Sequence, residues 1–227
     1  MRGRRASPSA TLMRPARSVY VFGSLALALL LAGCASPVRL DGARTLPPGA
    51  KRFYLAPSAY LNTGAPMVIN VDALFRFGVS QRVDLGLRFD AVGVQGDAKV
   101  AILRAADPRW GVDLALSPSL GVGLDAAWSR DSAAAGAPSA ALTALLGLNL
   151  AGWQLALSPQ FGYERVGTLP AGLISLGGTV ALGHLEQSGV RVYPAVALWK
   201  WADARHPGEL ARSPLAVQPA LVVRWGR

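Results

Sequence analysis

The chain has 227 residues, with 23 Lys and Arg against 13 Asp and Glu for a net charge of +10, two His and a single Cys. Five arginines (Arg2, Arg4, Arg5, Arg14, Arg17) fall in the first 33 residues, which hold no acid. The remaining 18 cations and 13 acids are interspersed, which excludes the clustered basic stripe of a nucleic-acid binder. One cysteine allows no internal disulfide and no cysteine-rich metal site. Although 52 % of the chain is hydrophobic, no stretch after residue 33 reaches the ~18 consecutive apolar residues of a spanning helix.

The N-terminus joins its arginines to an apolar run, Val19 to Leu31, too short for a permanent membrane helix and arranged as a cleaved signal peptide over 1–33. The run ends Leu31-Ala32-Gly33-Cys34. In these four residues the chain resembles the bacterial lipoprotein family, whose lipobox is a Leu, a small residue, Gly or Ala, and Cys. The resemblance implies cleavage after Gly33, a diacylglyceryl group on the Cys34 sulfur and acylation, such as by palmitate, of the new amine. It also implies handling by the lipoprotein processing and sorting machinery. Ala35 and Ser36, with no Asp directly after the Cys, imply the outer membrane of a Gram-negative bacterium as destination. Residues 34–50 carry Ser36-Pro37, Gly42 and Pro47-Pro48-Gly49 with little apolar periodicity, and are expected to form a flexible, lipidated tether.

From residue 51 to the end the hydrophobic period is two, the signature of strands. Residues 110–125 keep it unbroken: Trp110, Val112, Leu114, Leu116, Pro118, Leu120, Val122 and Leu124 share one face, Gly111, Asp113, Ala115, Ser117, Ser119, Gly121, Gly123 and Asp125 the other. Ten strands are predicted, at 51–61, 66–79, 83–94, 96–104, 110–125, 138–150, 152–166, 171–183, 189–201 and 213–226. Most reach the 9 to 11 residues that a tilted transmembrane strand requires. Leu-Ala-Leu-Ser-Pro occurs twice, at 114–118 and 155–159, two strands apart. The expected fold is all-β: an antiparallel up-and-down barrel of about ten strands over 51–227, after the signal helix and tether.

Loop lengths give an orientation. With the tether and C-terminus on the periplasmic side, joins on that side (80–82, 105–109, 151, 184–188) are short, while 126–137 and 202–212 on the other side are the longest, as in outer-membrane barrels. A further turn is expected near Gln95. Aromatic belts are expected from Phe75, Phe77, Trp110, Trp153 and Trp225 at one end, and from Tyr60, Phe161, Tyr163, Trp199 and Trp201 at the other. Pro57, Pro118, Pro159, Pro194 and Pro219 lack ladder donors, so bulges or local breaks are expected there.

The polar face carries Asp72, Arg76, Asp84, Arg88, Asp90, Asp97, Lys99, Asp113, Asp125, Glu164, Arg191 and Arg224. In a narrow lumen such groups must pair or stay wet. They form either a salt-bridged plug that holds the barrel's shape or a polar path for ions or a small solute. In this region the chain resembles outer-membrane β-barrel proteins; its last aromatic, Trp225, stands two residues before the terminus. The resemblance implies outer-membrane lipids and the barrel assembly machinery as partners.

Catalytic constellations are sparse. His184 stands near Glu186 and Ser188, and His206 near Asp203, Glu209 and Ser213, the second pair of surroundings lying in the long loop where a lipid-modifying barrel hydrolase or acyltransferase would meet its substrate. No phosphate-binding glycine loop, zinc spacing or calcium loop occurs, so no cofactor, metal or catalytic residue is assigned. The sequence points to a barrel lipoprotein with a structural, surface-interaction or narrow-transport role. The alternative is a lipid-tethered periplasmic β-protein that acts as a binding module.

Overall fold

The computed structural model describes residues 38–61, 67–90, 93–124, 135–165, 171–184 and 189–226. The expected signal peptide and the expected lipobox residues Leu31, Ala32, Gly33 and Cys34 lie outside them, as do Asp125, Glu186 and Ser188. Ten strands follow in order: β1 Lys51–Tyr60, β2 Val68–Gly78, β3 Val83–Asp90, β4 Gly93–Leu103, β5 Trp110–Leu124, β6 Ala135–Leu150, β7 Trp153–Glu164, β8 Leu173–His184, β9 Arg191–Asp203 and β10 Ala216–Gly226. Each pairs antiparallel with its sequence neighbours, and β1 pairs with β10, so the sheet closes on itself. Closure leaves no unpaired edge. A 3-10 turn, Pro207–Ala211, lies in the β9–β10 connection.

The end at which β1 begins is called here the near end; it also carries the β2–β3, β4–β5, β6–β7 and β8–β9 joins. The tightest of these is Ala151-Gly152, with φ of 50° and 90° between the paired residues Leu150 and Trp153. Two successive positive φ values give a hairpin turn whose twist matches that of the strands. The far end carries the β9–β10 connection, 204–215, along with the short β3–β4 connection.

Strand faces follow the alternation. In β5, Asp113, Ala115, Ser117 and Ser119 are buried toward the lumen while Leu116 and Leu120 are exposed on the outer wall, Leu120 at 73 %. In both Leu-Ala-Leu-Ser-Pro copies the Ala and Ser face in.

Three expectations are corrected. The β3–β4 ladder closes with the pair Asp90 and Gly93, so Gln95 does not mark the connection but lies within β4 opposite Arg88. The strand prolines, Pro57, Pro118, Pro159, Pro194 and Pro219, all face outward and shift no register, but the expected local breaks do occur: each pairs with one neighbouring strand and is passed over by the ladder on its other side. A strand residue directs its N–H and C=O to the same neighbour, so a proline weakens pairing on one side only. Register shifts occur instead at Ala101/Leu103 and Gly123/Leu124.

The third concerns the expected tether. Residues 38–50 fold into the barrel, with Val38, Leu40, Ala43, Leu46, Arg39, Asp41 and Thr45 all buried. At its root the segment joins the near end: Gly49 N donates to Gly78 O at 2.8 Å, and Gly78 N donates to Ala50 O at 2.9 Å. A Cβ on Gly78 would lie 2.0 Å from Pro47 O, so the wall is shaped to admit this backbone. The short alternation Val38-Arg39-Leu40-Asp41 supplies one apolar and one ionic face, and the lumen has a matching half for each.

Candidate functional site

The ionic half of the lumen is built by β2 to β5. Alternation places Asp72 and Arg76 of β2, Asp84, Arg88 and Asp90 of β3, Asp97 and Lys99 of β4 and Asp113 of β5 on the inner face, all buried. Arg76 is the hub: its guanidinium pairs with Asp84, with Asp97 at 2.7 Å and with Asp41 of the N-terminal segment at 3.0 Å. Lys99 Nζ meets Asp41 at 3.0 Å and Asp84 at 3.4 Å, and donates to the carbonyls of Gly42 and Arg44. Arg88 pairs with Asp72 at 2.9 Å. Arg39 reaches Asp97 at 3.5 Å, and Arg44 reaches Asp113 at 3.6 Å. Asn149 Nδ2 donates to Asp113 at 2.8 Å, and Gln154 Nε2 to Asn149 Oδ1 at 2.7 Å.

Charge complementarity explains why the segment belongs there. The walls of β2 to β5 bring Arg76, Arg88 and Lys99 against Asp72, Asp84, Asp90, Asp97 and Asp113, an excess of two acids, and the segment adds Arg39 and Arg44 with Asp41. Asp41 is wholly buried, with Arg76 and Lys99 each 3.0 Å away, so opposite charge compensates its burial.

The other half, built by β7 to β10 with β1, is apolar and small-walled. Ala56, Ala156, Ala181, Ala195 and Ala197 leave space into which Val38 and Leu40 pack, with Tyr54, Tyr193, Trp199 and Val222 around them. Tyr193 Oη donates to Leu40 O, and Arg39 N donates to Thr179 Oγ1 at 2.9 Å. Trp199 is only 2 % exposed, so it does not join an outer aromatic belt; odd positions of β9 face the lumen. A Cβ on Gly177 would lie 2.5 Å from the Trp199 indole, so glycine there makes room for the ring. Trp201 also turns inward, against Tyr60 with ring centroids 5.8 Å apart, and lines the far-end cavity. The remaining aromatics stand outside: Phe75, Phe77, Trp110, Trp153 and Trp225 near one end, Phe161 and Tyr163 near the other.

Two cavities flank the filled middle and share no lining residue. The near one is bordered by Asp41, Arg44, Arg52, His184, Tyr193 and Arg224. The far one, about 60 Å³, is bordered by Arg88, Gln95, Gln160, Glu164, Trp199 and Trp201. Such a volume holds a few waters. Of the sequence-assigned polar network, Asp72, Arg76, Asp84, Arg88, Asp90, Lys99 and Asp113 form the buried ionic half. Arg224 sits at the near cavity, donating to His184 O at 2.8 Å; Glu164 borders the far cavity and Arg191 is half-buried at the start of β9. Arg39, Asp41 and Arg44 were not among the sequence-assigned residues.

His184 packs edge-on against Trp153, with ring centroids 5.1 Å apart. His206 precedes the 3-10 turn, its N–H bonded to Asp203 O, while the Asp203 carboxylate pairs with Arg205 at 2.8 Å. Ser213 Oγ accepts from Trp201 N. Asp203 is held down at about 2 by its hydrogen bonds from Arg205, a carboxylate committed to its own loop. Among the described residues no group of three His, Cys, Asp or Glu side chains could hold a metal ion. No protein-family model matches the chain, and no curated protein is significantly similar to it.

Proposed function

We propose that this chain is an outer-membrane β-barrel lipoprotein, anchored through Cys34 and closed by its own N-terminal segment, with a structural or surface-interaction role rather than transport through its lumen. The observation that carries this reading is inverted polarity. A water-soluble barrel packs its apolar face inside and turns its polar face to solvent. Here Arg76, Asp84, Asp72 and Lys99 are at most 1 % exposed, while Leu85, Leu87, Phe89, Val112, Leu116, Leu120, Phe161, Leu198 and Leu221 stand outside at 37 to 73 %. Contiguous apolar surface beyond a few hundred Å² is rare on soluble monomers, and this pattern matches a lipid-facing wall around a polar interior. The filled lumen and the two unconnected cavities speak against steady conduction.

Removing the anchor separates an embedded barrel from a tethered soluble one. A Cys34→Ala chain exported behind a cleavable secretory signal is expected to remain with the outer-membrane fraction, resist carbonate extraction and migrate faster on gels before heating. Recovery as a soluble periplasmic protein would instead select the tethered binding module. The hydrolase or acyltransferase alternative predicts that His206→Ala changes membrane lipid composition; the proposed role predicts no change.

A further inference from the structure

We propose that residues 38–50 thread the barrel from the near end toward the far end, so that the chain upstream of Val38, Cys34 included, leaves the lumen beside the long β9–β10 connection. The contacts fall in sequence order along the barrel axis. At the near-end rim, Thr45 Oγ1 donates to Gln81 O at 2.9 Å and Leu46 N to Asp84 at 3.0 Å. Higher, Asp41 meets Lys99 and Arg76. Higher still, Arg39 N donates to Thr179 Oγ1, and Arg39 pairs with Asp97, well inside β8 and β4. At about 3.3 Å per strand residue and a tilt near 40°, those partners stand roughly 15 Å above the near rim.

Val38 is wholly buried at that height. Three residues lie between it and Cys34, four chain steps with a reach of at most about 14 Å, and a return path would have to share a lumen already filled by the segment itself. The far rim is the exit within reach. Resting on the lipoprotein reading, this places the Cys34 acyl chains in the leaflet at the long-loop end, with the segment as a strap between lipid and barrel. Occupancy of the lumen by residues 38–50 and anchoring in the near-end leaflet are therefore mutually exclusive.

The test is sidedness. The same short epitope is inserted after Ser36, after Arg205 in the β9–β10 connection, or after Gln81 in the β2–β3 turn of the full chain, and antibody binding is compared on intact and permeabilised cells. Threading predicts that the Ser36 and Arg205 tags are reached from one side and the Gln81 tag from the other. A Ser36 tag that shares the side of Gln81 overturns it. If Ser36 and Arg205 agree but both need permeabilisation, the orientation expected from the loop lengths fails while the threading stands.

A second measurement covers the case in which a tag blocks folding. A Cβ on Gly147 would lie 3.1 Å from the Ala43 Cβ, slightly inside the usual disulfide separation. Ala43→Cys with Gly147→Cys should therefore cross-link on mild oxidation in the membrane-inserted, lipidated protein. Absence of the bond there would show that the segment is withdrawn.

Discussion

Arg76 of β2 and Asp41 of the N-terminal segment form an ion pair at 3.0 Å with both side chains wholly shut off from solvent. The pair ties a segment outside the sheet to the hub of the lumen, where Asp84 and Asp97 share the same guanidinium. Removing the guanidinium leaves Asp41, Asp84 and Asp97 buried together with only Lys99 and Arg39 to compensate them. Breaking a buried pair by deleting one partner typically costs about 3–5 kcal/mol. Arg76→Ala should lower the urea midpoint of the micelle-folded protein accordingly; a change within about 0.5 kcal/mol, the range of ordinary surface substitutions, would show that water replaces the guanidinium.

Leu116 faces out near the middle of β5 and is 38 % exposed, while its neighbour Ser117 faces in and is fully buried. An arginine on a lipid-facing wall at mid-depth costs roughly 2–4 kcal/mol, whereas on a water-facing wall it is nearly neutral. Leu116→Arg should therefore impair folding into vesicles by that amount. An unaffected folding equilibrium would place water against that wall.

The lumen is closed by the segment, and its walls alone carry an acidic excess. Deleting residues 38–46 removes Arg39, Asp41 and Arg44 and leaves Arg76, Arg88 and Lys99 facing Asp72, Asp84, Asp90, Asp97 and Asp113. In planar bilayers the full chain should be silent and the deletion variant should pass cations in preference to anions. A silent deletion variant would mean that wall side chains fill the bore by themselves.

Strand number, order and facing were legible because the inner face is polar at nearly every second position, as Asp113, Ser117 and Ser119 are against Leu116 and Leu120. Where both faces are apolar the pattern loses its meaning. Tyr193, Ala195, Ala197 and Trp199 face inward beside outward Val192, Pro194, Val196 and Leu198, so Trp199 read as a belt residue. The β3–β4 turn was misplaced for the same reason, since Ala91-Val92 interrupts nothing while Gln95-Gly96 has the composition of a turn. The N-terminal segment was read as a tether because four alternating residues are too few to stand out. The signal that could have found it was the imbalance of the inner charges: the strands carry an excess of acids, among them Asp113, whose cationic partner Arg44 comes from outside the sheet.

Inverted polarity is tested most directly by where lipid reaches. The chain holds six tryptophans; Trp110 is 57 % exposed on the outer wall and Trp199 is 2 % exposed in the lumen. Two variants, each keeping one of these and carrying Phe at the other five positions, are folded into vesicles whose acyl chains are brominated close to the headgroup. The account predicts strong quenching of Trp110 and little of Trp199. Equal quenching of both, or an outer Trp110 untouched by brominated lipid, would contradict it.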